Sequence, residues 1–131
     1  MTKIIDVVVP CYNVESTINN CFDSLCNQSL PRDNYHCFFV NDCSTDETGI
    51  ILDKHRKEDN ITLIHHENNQ GLAATRNTGI KAGTSKYVAF LDGDMVIKKN
   101  WLESFLAYLN DNVVAVMGDN IPPNNISLSP V

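Results

Sequence analysis

Short apolar runs recur along the chain at Ile4 to Val9, Cys37 to Val40, Ile61 to Ile64, Tyr87 to Leu91 and Val113 to Met117, and each has the length of a strand. Between them the period changes. Ile18, Cys21, Phe22 and Leu25 follow the i, i+3, i+4, i+7 spacing of a helix with one buried stripe. Ser44 to Glu47 reads as a Ser-x-x-Glu capping box, which predicts a second helix over Asp46 to Lys57 with Ile50, Ile51 and the stem of Lys54 on its inner side. A third helix is predicted over Gly71 to Ala82, stopped by Gly83, and a fourth over Trp101 to Leu109, with Leu102, Phe105, Leu106 and Leu109 as its stripe. Strands alternating with helices imply right-handed crossovers, and so an α/β fold with a mainly parallel sheet and helices on both faces.

Composition narrows the classes. The 131 residues suit one domain with one core. A net charge of −6, without any basic block, argues against binding nucleic acid or anionic lipid. No apolar run reaches membrane-spanning length, and Asp6 and Pro10 interrupt the N-terminal stretch before it could form a signal-peptide core. The chain therefore reads as soluble and cytoplasmic, without a transmembrane segment. The five cysteines lack Cys-x-x-Cys spacing and read as reduced thiols, with Cys21 and Cys37 in the core. The four histidines form no metal-binding pattern.

The chemistry collects where the runs end. In a parallel sheet the C-terminal ends of all strands lie along one edge, the edge at which such sheets bind ligands. The first run is followed by Pro10, Cys11, Tyr12, Asn13 and Glu15, and the second by Asn41, Asp42, Cys43, Ser44, Thr45 and Asp46. The third leads into His65, His66, Glu67, Asn68 and Asn69. The fourth, an uninterrupted apolar run that fits a strand covered on both faces, ends abruptly in Asp92-Gly93-Asp94. Two carboxylates at i and i+2 around a glycine fit a site for Mg²⁺ or Mn²⁺, and the same tripeptide also fits a solvated turn after a core strand. Taken together, the four ends predict a binding crevice suited to a nucleotide diphosphate.

Four blocks carry a family likeness: Val8-Val9-Pro10-Cys11-Tyr12-Asn13, Val40-Asn41-Asp42-Cys43-Ser44-Thr45-Asp46, Asn69-Gln70-Gly71-Leu72-Ala73-Ala74-Thr75-Arg76-Asn77-Thr78-Gly79 and Phe90-Leu91-Asp92-Gly93-Asp94. In this order they resemble family 2 glycosyltransferases. The resemblance implies the Rossmann-like GT-A fold, a nucleotide-sugar donor that is most often a UDP-sugar, and Mn²⁺ or Mg²⁺ at the Asp-x-Asp motif. It further implies that Asp42 accepts a hydrogen bond from the base while Pro10 and Tyr12 cradle the uracil ring. Asn13 and Glu15, at the same strand end, join the candidate donor site. Arg76 is expected to face the nucleotide, Asp92 the ribose and the metal, and Asp94 to ligate the metal directly. Tyr12 and Arg76 also have bland readings, a packed turn residue and a solvated surface arginine. Asp46 fits the first turn of a helix, where its charge complements the dipole. Two positions depart from the pattern: Asn41 replaces a frequent aspartate and is expected to remove a charge from the crevice, and Cys43 replaces a frequent glycine and is expected to crowd the base pocket.

Inverting transfer also needs a base for the acceptor hydroxyl, which in the family lies well beyond the Asp-x-Asp motif. Only residues 95–131 follow Asp94 here, and the late carboxylate Asp119 reads as part of a turn with Gly118 and Asn120. The expectation is a donor-binding domain over residues 1–120 and an exit segment over 121–131. The general base and the half that binds a glycan or lipid-linked acceptor would lie elsewhere. Surface exposed near Met117 to Ile126 predicts homo-oligomerisation. A non-catalytic nucleotide-binding or interaction module on the same fold is the alternative. A sugar nucleotidyltransferase would require a glycine-rich loop with Arg and Lys, and Pro10 to Ser16 has neither.

Overall fold

In the computed structural model, which describes residues 3–113 and 115, strand β1 (Ile5–Cys11) is buried at every position. Its place in the sheet explains this. β1 pairs in parallel with β2 (Tyr35–Asn41) on one side and β4 (Tyr87–Phe90) on the other, and β2 pairs with β3 (Ile61–His65), giving the order β3-β2-β1-β4. The helices are α1 (Ile18–Cys26), α2 (Thr48–Asp53), α3 (Leu72–Ala82) and α4 (Trp101–Leu106).

Alternate side chains of β1 serve opposite faces. Val7, Val9 and Cys11 join one cluster with Ile18, Cys21, Phe22 and Leu25 of α1, Leu52 of α2 and Leu102 of α4. The expected stripe of α1 is the observed one. His55, just past α2, stacks on Phe22 with ring centroids 3.7 Å apart. On the other face α3 lies over β1 and β2, and it approaches so closely that a Cβ on Gly79 would collide with the side chain of Val8.

The structure changes several expectations. β4 is not covered on both faces: Val88 and Phe90 are 39% and 44% exposed, because α3 sits over β1 and β2 and leaves that side of β4 open. α2 is shorter than predicted and turned about its axis, burying Thr48 and Leu52 while Ile50 stays 61% exposed. Gly83 does follow α3, but in extended backbone. Its lack of a side chain is needed because Asp6 lies against it, where the carboxylate accepts bonds from Ser85 N (3.0 Å) and Ser85 Oγ (2.7 Å). α4 ends at Leu106 rather than Leu109.

Of the fifth predicted strand, Val113 and Ala115 belong to no regular element, and Val114, Val116 and Met117 lie outside the described residues. So do the boundary at 120/121 and the surface from Met117 to Ile126. All five cysteines are free thiols, and burial raises Cys11, Cys21 and Cys37 above the ordinary thiol value, Cys21 to about 12. Among the described residues no helix is long and apolar enough to cross a membrane.

The Gly79 contact yields a test in which two effects have opposite signs. Helix propensity alone would make Gly79→Ala stabilising by about 1 kcal/mol. The collision is with Val8, which is fully buried in the central strand and cannot swing aside. The expected outcome is a net loss of about 1–3 kcal/mol, read as a lower urea midpoint with an unchanged slope. A raised midpoint would contradict the close packing of α3.

Candidate functional site

Because the sheet is parallel, Cys11, Asn41, His65 and Phe90 end their strands along one edge. The first two loops at this edge are laced together. Asn13 N donates to Ser44 Oγ (3.1 Å), and Asn13 Oδ1 accepts from Thr45 N (2.8 Å) and Asp46 N (3.4 Å). Glu15 N donates to Asp46 Oδ2 (3.2 Å), Glu15 Oε2 accepts from Glu47 N (3.0 Å), and Val14 N donates to Thr48 Oγ1 (2.9 Å). These bonds replace the predicted capping box. Asp46 Oδ1 receives Thr48 N at 2.9 Å and Glu15 receives Glu47 N, so the start of α2 is satisfied by Asp46 and by the neighbouring loop. Asn13 and Glu15 thus hold the two loops together rather than lining a cavity.

Asp42 is the node of the edge. Its Oδ1 accepts from His66 Nδ1 (2.8 Å) and Gln70 N (2.8 Å), and its Oδ2 from Gly71 N (2.9 Å). The side chains of Asp42 and His66 are 5% and 7% exposed. Burial pushes the Asp42 carboxyl up, and the bonds from His66, Gln70 and Gly71 outweigh it, holding the group below the ordinary carboxylate value. A buried, ionised acceptor results. The register explains its partner: Asn41 pairs with His65, so the next residue of each chain segment, Asp42 and His66, also meet. The sequence places His66 among the polar residues after the third run, with no partner assigned; strand adjacency is the signal that pairs it with Asp42.

Asp42 forms part of the wall of a cavity of about 260 Å³ lined also by Pro10, Cys11, Tyr12, Asn69, Gly71, Leu72 and Thr75. Three predicted residues, Pro10, Tyr12 and Asp42, are therefore brought together, with Tyr12 half exposed. Asn69, Leu72 and Thr75 were not singled out from the sequence. Gly71 has φ of +91°, a conformation that favours glycine, and this lets its amide turn to Asp42 at the start of α3.

The two departures from the pattern have local explanations. Asn41 does not set the charge of the crevice. Its Nδ2 is 3.0 Å from His65 Nδ1, its Oδ1 accepts from Ser44 N, and His65 Nε2 in turn meets Asp53. A neutral amide donor suits that imidazole. Cys43 sits at φ +57°, which explains a glycine there, and its thiol is directed to Glu67 O, so it does not line the cavity.

At the end of β4, Gly93 is buried; a Cβ there would lie 3.2 Å from Val14 Cγ2 and 3.4 Å from Pro10 O. Thr17 Oγ1 donates to its carbonyl at 3.2 Å. The pinned glycine leaves Asp92 and Asp94 exposed on either side. Arg76 reaches from α3 to Asp92, Nη2 to Oδ1 at 3.5 Å, with its Cζ 5.7 Å from the centre of the Phe90 ring. Among the described residues its buried Nε has no hydrogen-bond partner. Among the described residues no three His, Cys, Asp or Glu gather as a metal cage. Two exposed carboxylates still fit Mg²⁺ or Mn²⁺, ions commonly held by one or two carboxylates together with substrate phosphates and water.

A parallel sheet with a buried carboxylate in the wall of a cavity and an exposed carboxylate pair along the same edge places the ligand-binding end of an α/β domain there. The chain belongs to glycosyl transferase family 2, whose profile matches residues 6–128. It is 36% identical over 116 residues to the putative glycosyltransferase EpsH of Bacillus subtilis, covering 88% of this chain and 33% of that one. It is 34% identical over 107 residues to the poly(ribitol-phosphate) beta-N-acetylglucosaminyltransferase TarS of Staphylococcus aureus, covering 81% and 19%. The crystal structure of S. aureus TarS 1-349 with UDP-GlcNAc superposes with a TM-score of 0.74 at 34% identity, over 80% of this chain and 30% of that one. The mannosyltransferase PcManGT from Pyrobaculum calidifontis, in complex with GDP-Man and Mn²⁺, gives 0.78 at 26% identity, over 86% and 34%. The expected family and its GT-A fold are thus found. The chain spans about a third of the length of the first curated relatives it matches.

Acid should loosen this edge. Burial opposes ionisation at Asp46 as at Asp42, and bonds from Thr48 and Glu15 outweigh it; Asp53 is held down by Arg56 and His65. A carboxyl whose folded value lies below its unfolded one stabilises fully above the unfolded value, 3.8 here, and loses that contribution as pH falls through the folded value. The thermal midpoint is expected to hold from about pH 7 to 5 and to decline below about pH 4. Asp42→Asn should cost about 2–4 kcal/mol at pH 7 and flatten part of the acid decline. A midpoint constant down to about pH 3 would contradict this electrostatic picture.

Proposed function

We propose that this chain supplies the donor-binding half of a metal-dependent inverting glycosyltransferase that takes a UDP-sugar and passes the sugar to a hydroxyl of a glycan or lipid-linked acceptor. The observation that carries the reading is the ionised, buried Asp42 in the wall of a cavity shared with Pro10 and Tyr12, on the same sheet edge as Asp92 and Asp94. Tyr12 offers an aromatic face to a base, and Asp42 accepts from a base N–H. Arg76, with an unpartnered Nε and a loose contact to Asp92, has donors for phosphate oxygens. Asp92 meets ribose hydroxyls.

Asp94, with Asp92, would hold Mn²⁺ or Mg²⁺. A divalent cation bound there supplies positive charge opposite the departing diphosphate, which in this acidic chain would otherwise leave beside carboxylates. The relatives support the donor class: TarS is described with UDP-GlcNAc, and PcManGT with GDP-Man and Mn²⁺. Five free thiols support a reducing, cytoplasmic location. The acceptor's general base belongs to sequence beyond Asp94.

Calorimetric titration of UDP with and without Mn²⁺ tests the reading, with CDP as control. UDP is expected to bind in a Mn²⁺-dependent manner, and Asp94→Ala to weaken it at least about tenfold, equivalent to about 1.4 kcal/mol. Full Mn²⁺-dependent UDP binding by Asp94→Ala would overturn the metal assignment.

A further inference from the structure

An ionised carboxylate at a base pocket is repelled by the N3 acceptor of cytosine, though it can accept from the N4 amine, and it does not by itself separate uracil from guanine. Uracil presents one N–H at N3. Guanine presents two donors side by side, N1–H and N2–H₂, which suit the two oxygens of a free carboxylate. Relatives of this chain have been captured with both kinds of nucleotide, so the choice has to be made by the surroundings of Asp42.

Those surroundings are unusually full. A carboxylate offers about four lone-pair positions. Oδ1 of Asp42 has both of its positions taken, by His66 Nδ1 and Gln70 N, each at 2.8 Å. Oδ2 accepts Gly71 N at 2.9 Å and keeps one. The ring is fixed at its far side too, with Nε2 2.8 Å from Thr78 Oγ1, a hydroxyl that lies 3.0 Å from Ala74 O. Because an ionised Asp42 can only accept, the proton on Nδ1 must face it, and the ring cannot turn over without breaking both contacts. The ring is nearly sealed from solvent.

We propose that His66 is a positioning residue that sets nucleobase choice: by occupying Oδ1 it leaves Asp42 a single open lone pair on Oδ2, enough for the one N–H of uracil and too little for the paired donors of guanine. The inference rests on the reading of Asp42 as the group that meets the base. His66 touches no substrate in this scheme and acts only through Asp42. Removing the ring returns a lone pair to Oδ1 and frees the carboxylate to swing, with the two α3 amides as its remaining restraints.

The ratio of UDP to GDP affinity, measured by calorimetry with Mn²⁺ on the whole chain, reads this directly. The unaltered chain is expected to favour UDP. His66→Ala should lower the ratio at least about tenfold. His66→Asn, whose amide nitrogen can take the place of Nδ1, should restore most of it, a rescue that general loosening of the fold would not produce. Asp42→Ala separates the two layers of the argument. If Asp42→Ala abolishes the preference while His66→Ala leaves the ratio unchanged, the role of His66 is overturned and the base contact stands. If Asp42→Ala leaves UDP binding intact, or the unaltered chain binds neither nucleotide, both are overturned. Should His66→Ala not fold, Thr78→Val, which removes the hydroxyl partner of Nε2, is expected to lower the ratio by a smaller factor, and an unchanged ratio there would count against the proposal.

Discussion

One carboxylate fastens the ligand edge of this fold. Asp42 leaves the end of β2 and takes hydrogen bonds from the residue after β3 and from two amides at the start of α3. A bond to a charged group contributes about 1.5–3 kcal/mol, and losing the carboxylate would leave three partly buried donors unpaired. The same bonds that join the strand ends to the crossing helix therefore turn an acceptor into the base-sized cavity. Under the proposed function stability and recognition share these atoms, as suits a site held ready rather than formed by rearrangement.

The remaining loops are organised around that node by short polar links. Asn13, Glu15, Ser44, Asp46 and Thr48 tie the first two loops edge to edge, and the positive φ of Asn13 (51°) and Cys43 (57°) brings their backbones into range. At the opposite end of the sheet Asp6 plays a comparable part, holding the turn between α3 and β4 through Ser85. The buried acids Asp6 and Asp42 are thus connectors, each accepting bonds from a segment beyond its own strand. Asp92 and Asp94 differ: they stand exposed beside a buried glycine, open to a cation and phosphates.

The alternation of strands and helices was legible in the sequence, and what covers each element less so. β1 could be read from its apolar run, interrupted only at Asp6, and α1 from its stripe, because burial on two faces or on one leaves a distinct period. β4 carries the same kind of run as β1, yet one of its faces is open; what covers a strand depends on where the neighbouring helix lies, which no local pattern records. α2 turned so that Ile50 faces out because Thr48 is drawn inward by the amide of Val14, a contact from a distant loop. The capping box failed for a related reason, since Glu15 and Asp46 reached the amides first. Of the site, Pro10, Tyr12 and Asp42 lie at or just past strand ends, and it was the family resemblance that singled them out for a base. His66 was hidden because its role exists only across the β2–β3 pairing.

Amide NMR spectra of the chain titrated with UDP and Mg²⁺ show whether one nucleotide occupies the edge around Asp42. Shifts are expected to concentrate at Cys11 to Asn13, Asp42, His66, Gln70 to Thr75 and Asp92 to Asp94, while Asp6 and Ser85 at the far end stay still. Shifts centred on the Asp6 end, or on the open face of β4 with the amides of Gln70 and Gly71 unmoved, would contradict that placement.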